Sequence, residues 1–474
     1  MTTQMAPPDT SRASTFTIIR RAVLKGEQQD FTQGSLRRAV VLLAIPMIIE
    51  MIMESIFALV DLFFVSKLGK HAVSTVGLTE SVLTLVYSLG MGGSMAATAL
   101  VARRVGEKNP KAAANTAMQA ILAGLLLSLV MSITGIIFAP DILHLLKAEP
   151  ETIAMGTAYT RTMMASSTAI ILLFLINGIF RGAGDASLAM KSLTLANVCN
   201  IILCPILILG WGPIPAQGLF GAALATTIGR SIGVLYQLAH LFRGKGVIRL
   251  SKAAVVAEWS LIRNLLSVAW PAALQFLIGS CSWIFLARLV AETGGSTASA
   301  GYMTAIRLLV FFILPAWGIS NAAATLVGQN LGAQNPARAE AAVWKTVQYN
   351  AVFMLGVTLL FELAARPLIG FFAQDPAVIE VGVRALRIVS AAYLFYGAGM
   401  VFTNALNGAG DTRTPTWINV FGFWLFQIPL AWLLAKGFDL GPTGVFVAIP
   451  VSETLITLAS FYFFKKGKWK QVVV

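Results

Sequence analysis

Charged side chains are scarce. Asp, Glu, Lys and Arg together make up 12% of the 474 residues, about half the share usual in a soluble domain. That scarcity excludes an ordinary water-soluble fold. Cysteine is nearly absent: Cys199, Cys204 and Cys281 all lie in apolar segments without metal-ligand spacing, so neither a disulfide framework nor a zinc site is supported. The three histidines (His71, His144, His240) are scattered, and no Ser/His/Asp or Cys/His grouping points to an enzyme. No cofactor motif is present. The segment before residue 36 has no continuous apolar core and reads as a basic cytoplasmic tail rather than a cleavable signal peptide.

What remains is hydrophobic: 57% of residues are apolar and the mean hydropathy is +0.77. Runs long enough to cross a bilayer are predicted near 36–66, 74–104, 112–138, 152–179, 186–210, 217–242, 258–290, 298–330, 338–363, 378–406, 412–436 and 441–464. The fold class expected is therefore an all-α polytopic membrane protein of twelve helices. The net charge of +14 reads as the positive-inside bias of membrane loops rather than a nucleic-acid surface. One side collects Arg12, Arg20, Arg21, Lys25, Arg37, Arg38, Arg103, Arg104, Lys108, Lys111, Arg243, Lys245, Arg249, Lys252 and the tail KKGKWK, the other little more than Lys67, Lys70, Lys147, Arg366 and Lys436. Both termini are then expected in the cytoplasm, with the chain integral to a plasma membrane, a bacterial inner membrane by this reading.

The second half repeats the first. VARRVGEKNPKAAANTA (101–117) matches LVGQNLGAQNPARAEAA (326–342), FRGAGD (180–185) matches LNGAGD (406–411), and AIPM (44–47) matches AWPA (269–272). Six helices per repeat give both halves the same orientation, the parallel-repeat plan of secondary transporters. The expected organisation is a tail (1–35), an N-lobe (36–243), a cytoplasmic linker (244–257), a C-lobe (258–464) and a basic tail (465–474). A lipid bilayer and small organic molecules are the expected partners, and the chain is expected to act as a monomer. No filter-like re-entrant stretch supports a channel.

Three carboxylates interrupt the first apolar run, IPMIIEMIMESIFALVDLFF (45–64). At about 100° per residue, Glu54 lies roughly 40° from Glu50 and Asp61 roughly 20°, so all three share one stripe about 16 Å long. Lipid is the wrong neighbour for such a stripe, which must face a bundle interior or a wet cavity. A desolvated carboxylate can exchange protons near neutral pH, and ionised ones can hold Na⁺ or an organic cation; an acid that only satisfies a neighbouring hydroxyl, amide or Arg is the plain alternative. Glu80 extends the same cavity or marks an interface. Arg181 and Asp185 are expected to form a local pair or cap. Arg307 has no acid one turn away and is expected to face the cavity or an acid on another helix.

AIPMIIEMIMESIFALVDLFFVSKLG, the duplicated G-x(3)-N-P turns, the RGAGD and NGAGD turns and NIILCP (200–205) together resemble the multidrug and toxic compound extrusion (MATE) transporters, over residues 36 to 464. The resemblance implies a two-lobe, twelve-helix antiporter that exports amphipathic, usually cationic compounds for H⁺ or Na⁺. Asp61 matches the family's N-lobe coupling carboxylate and Asn200 its fifth-helix Asn. Where that fifth-helix pattern has an Asp, this chain has Cys204, which disfavours a Na⁺ site near Asp61 and Asn200 and leaves Glu54 or Glu50 to substitute. The acids that other members carry in the seventh and tenth helices are missing from 273–288 and 391–406, so coupling is expected in the N-lobe. Protonation of Asp61 with Glu54 would neutralise the stripe, with a bend at Pro46 reporting it. Phe57, Tyr87, Met91 and Trp317 would face the substrate beside Glu80 and Arg307. The alternative reading is a flippase for lipid-linked oligosaccharides, against which an acidic first helix argues.

Overall fold

The computed structural model describes residues 30–243, 246–250 and 256–472. Most of the expected N-terminal tail, with Arg12, Arg20, Arg21 and Lys25, and half of the linker, with Lys245 and Lys252, lie outside these residues.

Among the described residues ten helical runs are long and apolar enough to cross a membrane. Two further spans are hidden by the continuity or the breaking of helices. The run Trp259–Gly332 is two arms, 259–294 and 296–332, joined at Gly295, whose φ of 67° reverses the chain. A twelfth span breaks near its middle into Pro376–Ser390 and Tyr393–Gly408. In chain order the spans are α1 (Leu36–Ser66), α2 (Lys70–Gly106), α3 (Pro110–Leu145), α4 (Pro150–Gly182), α5 (Ala186–Leu209), α6 (Gly218–Arg243), α7 and α8 (the two arms), α9 (Pro336–Gly370), α10 (the broken span), α11 (Arg413–Gly437) and α12 (Pro442–Lys466). Most of α11 is wound as π-helix, over Val420–Gln427 and Leu433–Gly437. α1 runs through Pro46 as one helix: the carbonyl that the proline leaves free can be accommodated by neighbours without ending the helix.

The repeat is written into the backbone. Lys108 and Gln334 both take φ of 56°; the following Asn109 and Asn335 cap α3 and α9 by accepting from the N–H of Ala112 and Arg338, with Pro110 and Pro336 in the first helical turn. Gly184 and Gly410 (φ 85° and 92°) place Asp185 and Asp411 to cap the next helices. Gly218, which opens α6, and Gly441, which precedes α12, share φ of 55°. Equivalent turns in the two halves thus fix the register between them.

The apolar cores fall into two sets: one gathers residues of α2–α6 with Val65 of α1 and with Ile262, Leu265 and Val268 at the start of α7, the other residues of α7–α12. The halves meet through small residues at the end of the bundle that holds Phe31 and Trp469. A Cβ on Gly106 would sit 2.0 Å from the carbonyl oxygen of Gln329, and one on Gly332 would sit 2.1 Å from that of Arg103. Deeper along the same seam Gly92 abuts Ala273 and Gly318 abuts Met47. Thr325 donates to the Arg181 carbonyl and Gln329 to that of Gly182. Small residues let helix backbones approach this closely in a membrane. Gly106→Ala is expected to force the halves apart at this end, at about 1–3 kcal/mol of overpacking. In a background without the native cysteines, Thr325→Cys would then change from protected to labelled by an impermeant maleimide.

The basic residues are less one-sided than the sequence pattern predicts. Arg288, Arg366, Arg384, Arg387 and Lys436 cluster at the opposite end of the C-terminal half. Four of them pair with Glu292, Glu380 and Glu362, so much of that charge is locally neutralised, while Arg384 reaches Thr443.

Candidate functional site

Away from the seam a cleft lies against Met95 of α2 and is lined on its other wall by residues of α7, α8, α10, α11 and α12. The three acids of α1 meet three different environments along the N-terminal wall.

Glu50 is fully buried. One carboxylate oxygen accepts from Asn177 Nδ2 at 3.0 Å and lies 3.8 Å from the Arg181 guanidinium, and the other has no partner among the described residues. Asn177 in turn accepts from Ser192 and Gln237, and Arg181 donates to Ser94. Glu50 thus ends a polar network through α4, α5 and α6. Arg181 does not pair with Asp185 as expected; it turns inward to Glu50. Asp185 caps α5 through the Leu188 N–H and the Ser187 hydroxyl, and burial raises its pKa above the ordinary carboxylate value against those hydrogen bonds.

Glu54 is held by a partner that the sequence does not reveal. Arg230, from α6, forks onto both of its oxygens at 2.5 and 3.1 Å, and Asn197 adds a third donor. Bidentate arginine–carboxylate pairs are strong and directional. Arg230 is 1% exposed and its guanidinium lies over the Phe57 ring at 4.7 Å and the Phe174 ring at 5.7 Å, a cation–π arrangement. Phe174 also packs edge-on to Tyr87. Phe57 and Tyr87 therefore belong to the arginine's surroundings.

Asp61 differs from both. Its nearest polar contact is the thiol of Cys204, 3.7 Å from Oδ1, and no arginine or lysine pairs with it among the described residues. It lies within electrostatic reach of Glu80 and Arg230. Asn200 does not turn to Asp61; its amide donates to Thr226 at 3.1 Å and its Oδ1 is buried without a partner among the described residues. Glu80 is exposed on α2.

Met91 and Trp317 line a small cavity where the halves converge, with Arg181, Phe276 and Asn407. Trp317 stacks at a tilt against Phe276, ring centres 5.2 Å apart. Arg307 is exposed on α8, three and seven residues before Val310 and Leu314, which line the C-terminal wall. It therefore shares their face, with no ion pair among the described residues.

On the C-terminal wall the repeat replaces charge with neutral groups. Where the first half sets Glu50 beside Arg181, the second sets Gln275 and Asn407 in a reciprocal amide pair at 3.1 Å in both directions. The counterparts of Glu54 and Asp61 are Gly279 and Leu286. One carboxylate, Glu453 on α12, escapes this rule and is absent from the candidates that the sequence motifs single out. The shared turn before α6 and α12 is the signal that points to it: GLFG (218–221) aligned on GPTG (441–444) sets Arg230 opposite Glu453.

The pattern described as MatE matches the chain twice, over residues 46–206 and 271–433, together more than half of its length. A probable multidrug resistance protein NorM of Thermotoga maritima is 28% identical over 443 residues, 93% of this chain and 94% of that one. An FAD transporter of Shewanella oneidensis is 28% identical over 411 residues, 86% and 89% of the two chains. Among solved structures, a MATE protein in complex with MaD3S is 25% identical, covers 95% of this chain and 100% of its own, and superposes with a TM-score of 0.88. An outward-facing multidrug resistance MATE transporter of the MOP superfamily, 24% identical over the same shares, also gives 0.88.

Proposed function

From the premise that this chain belongs to the MatE family, and is therefore an integral membrane protein of the twelve-helix fold, we propose that it exports amphipathic organic cations in exchange for protons, with Asp61 carrying the exchanged charge. The observation that carries this reading is the contrast along α1: Glu50 and Glu54 each lie within ion-pair distance of an arginine, whereas the direct polar contact of Asp61 among the described residues is a thiol. An acid already neutralised by a fixed guanidinium has little to gain from a proton. Asp61 is the member of the stripe whose charge changes when the cleft changes.

Cation export fits the balance of the cleft. Arg181 and Arg230 are spent on Glu50 and Glu54, which leaves Asp61, Glu80 and Glu453 against Arg307. A surplus of acid favours organic cations over an anionic cargo such as that named for the Shewanella relative. It equally disfavours a pyrophosphate-bearing lipid. Protons are favoured over Na⁺ by the donors present: a hard cation needs several oxygen ligands, and Asp61 is offered sulfur by Cys204 while Asn200 is turned to Thr226.

The bias of basic residues toward the end that holds Phe31 and Trp469 supports placing that end in the cytoplasm of a plasma membrane. The closed seam then lies inside and the cleft opens outward. Asp61 takes a proton from outside as cargo leaves, the neutral stripe repacks, the seam parts, and the proton is released inside as the next cation enters. Alternating access of this kind is a rocking of one repeat against the other.

The reading is tested with purified protein in vesicles, following ethidium under imposed gradients. A pH gradient alone, in nominally Na⁺-free buffer, is expected to drive transport. A strict requirement for Na⁺ would overturn proton coupling and leave export standing.

A further inference from the structure

Among the described residues Glu453 has no hydrogen-bond or ion-pair partner. It is 6% exposed at the middle of α12, and Arg307 of the same cleft does not reach it. A lone carboxylate at this depth is costly unless something answers its charge. Its surroundings are aromatic. Trp283 of α7 and Tyr396 of α10 line the cleft with it, and Phe276 and Trp317 continue the wall. Tyr393, behind them, is buried with a hydroxyl that has no partner among the described residues. Both tyrosines lie within electrostatic reach of the carboxylate.

The repeat indicates what is missing. Arg230 and Glu453 follow Gly221 and Gly444 by the same nine residues. Those two glycines do the same work: a Cβ on Gly221 would meet the backbone of Leu207, and one on Gly444 the backbone of Leu434 and Ala435. In the first half the acid comes from α1, the cation from α6, and aromatic rings flank the guanidinium. In the second half the acid comes from α12, rings flank it again, and the α7 position that would supply a partner is Gly279, which lines the open cleft. Acid and rings are in place, and no side chain supplies the cation.

We propose that Glu453, Trp283 and Tyr396 form a cation subsite in the C-terminal half that holds the charged centre of a lipophilic monocation during export. The carboxylate supplies the countercharge and the rings supply apolar area and cation–π attraction. Gly279 leaves the room that Glu54 fills in the other half. Cargo charge and exchanged proton are thereby held on opposite walls, so the cation need not sit on Asp61 to be carried. This inference rests on the export reading above.

The test measures binding of tetraphenylphosphonium to the purified full-length chain. Glu453→Gln is expected to weaken binding about tenfold, and Glu453→Asp to restore part of the loss. In unmutated protein, tetraphenylphosphonium is expected to protect Glu453 from dicyclohexylcarbodiimide, read by peptide mass spectrometry; this arm does not depend on how the variants fold. Unchanged affinity in a folded Glu453→Gln protein, or labelling of Glu453 indifferent to the cation, would overturn the subsite and leave export untouched. Unmutated protein that neither binds nor moves the cation would overturn both.

Discussion

Asp61→Asn is expected to reduce pH-gradient-driven export to the level of protein-free vesicles while the protein still folds. The amide has nearly the shape of the acid but cannot give up a proton, so the inward and outward forms of the cleft no longer differ in charge. Folding is expected to survive because no ion pair is broken: the carboxylate gives up only its approach to the Cys204 thiol at 3.7 Å, which an amide can replace. The same substitution elsewhere on the stripe behaves differently. Glu50→Gln removes the charge facing Arg181 and Glu54→Gln the charge facing Arg230, so both are expected to lower stability before they reveal anything about coupling. Thermal unfolding in detergent beside the vesicle assay separates the cases. Export by Asp61→Asn at the normal rate would move the exchanged charge elsewhere.

Arg230→Met is expected to give the largest loss of stability. A buried ion pair contributes little compared with an apolar pair of the same size, yet removing one member leaves the other charge without a partner, at about 3–5 kcal/mol. Glu54 keeps 21% of its side chain exposed, which places the expected loss toward the lower bound. Arg230 also anchors Phe57 and Phe174 through its guanidinium face, and that anchorage disappears with it. The double substitution Arg230→Met with Glu54→Leu is expected to recover most of the loss, because neither charge then remains. Additive losses in that cycle would mean that the pair does not act as a unit.

The stripe itself is legible in the sequence because helical periodicity is a local property: residues 50, 54 and 61 share a face whatever surrounds them. The repeat is legible for a related reason, since turns such as KNP and RGAGD carry their own backbone conformations. Partners are not legible. Arg230 lies 176 positions from Glu54 and 127 separate Asn177 from Glu50; nothing in a single sequence states which helices touch. Arg181 misleads for the opposite reason, because Asp185 stands close in sequence while Glu50 stands close in space. The spans 258–290, 298–330 and 378–406 are legible in the sequence as separate apolar runs, whereas the helix boundaries hide them: Gly295 leaves the helical region between two adjoining helices, and α10 breaks where its sequence stays apolar. Glu453 is legible in principle, through the paired glycines before α6 and α12, but the family resemblance directs attention to acids of α7 and α10 instead.

The seam of Gly92, Gly106, Gly318 and Gly332 has a thermodynamic corollary. At the glycines backbone meets backbone, and beside them Leu43 and Met47 of α1 pack against Ile319 and Leu326 of α8, so parting the seam uncovers an apolar patch that the other arrangement has to cover again. The closed and parted arrangements of such a joint can lie within a few kcal/mol of each other, the gap that a ligand with a modest preference for one state can overturn. A chain poised in this way needs no large energy input per cycle. In the exchange proposed above, one proton on one carboxylate is then a sufficient bias.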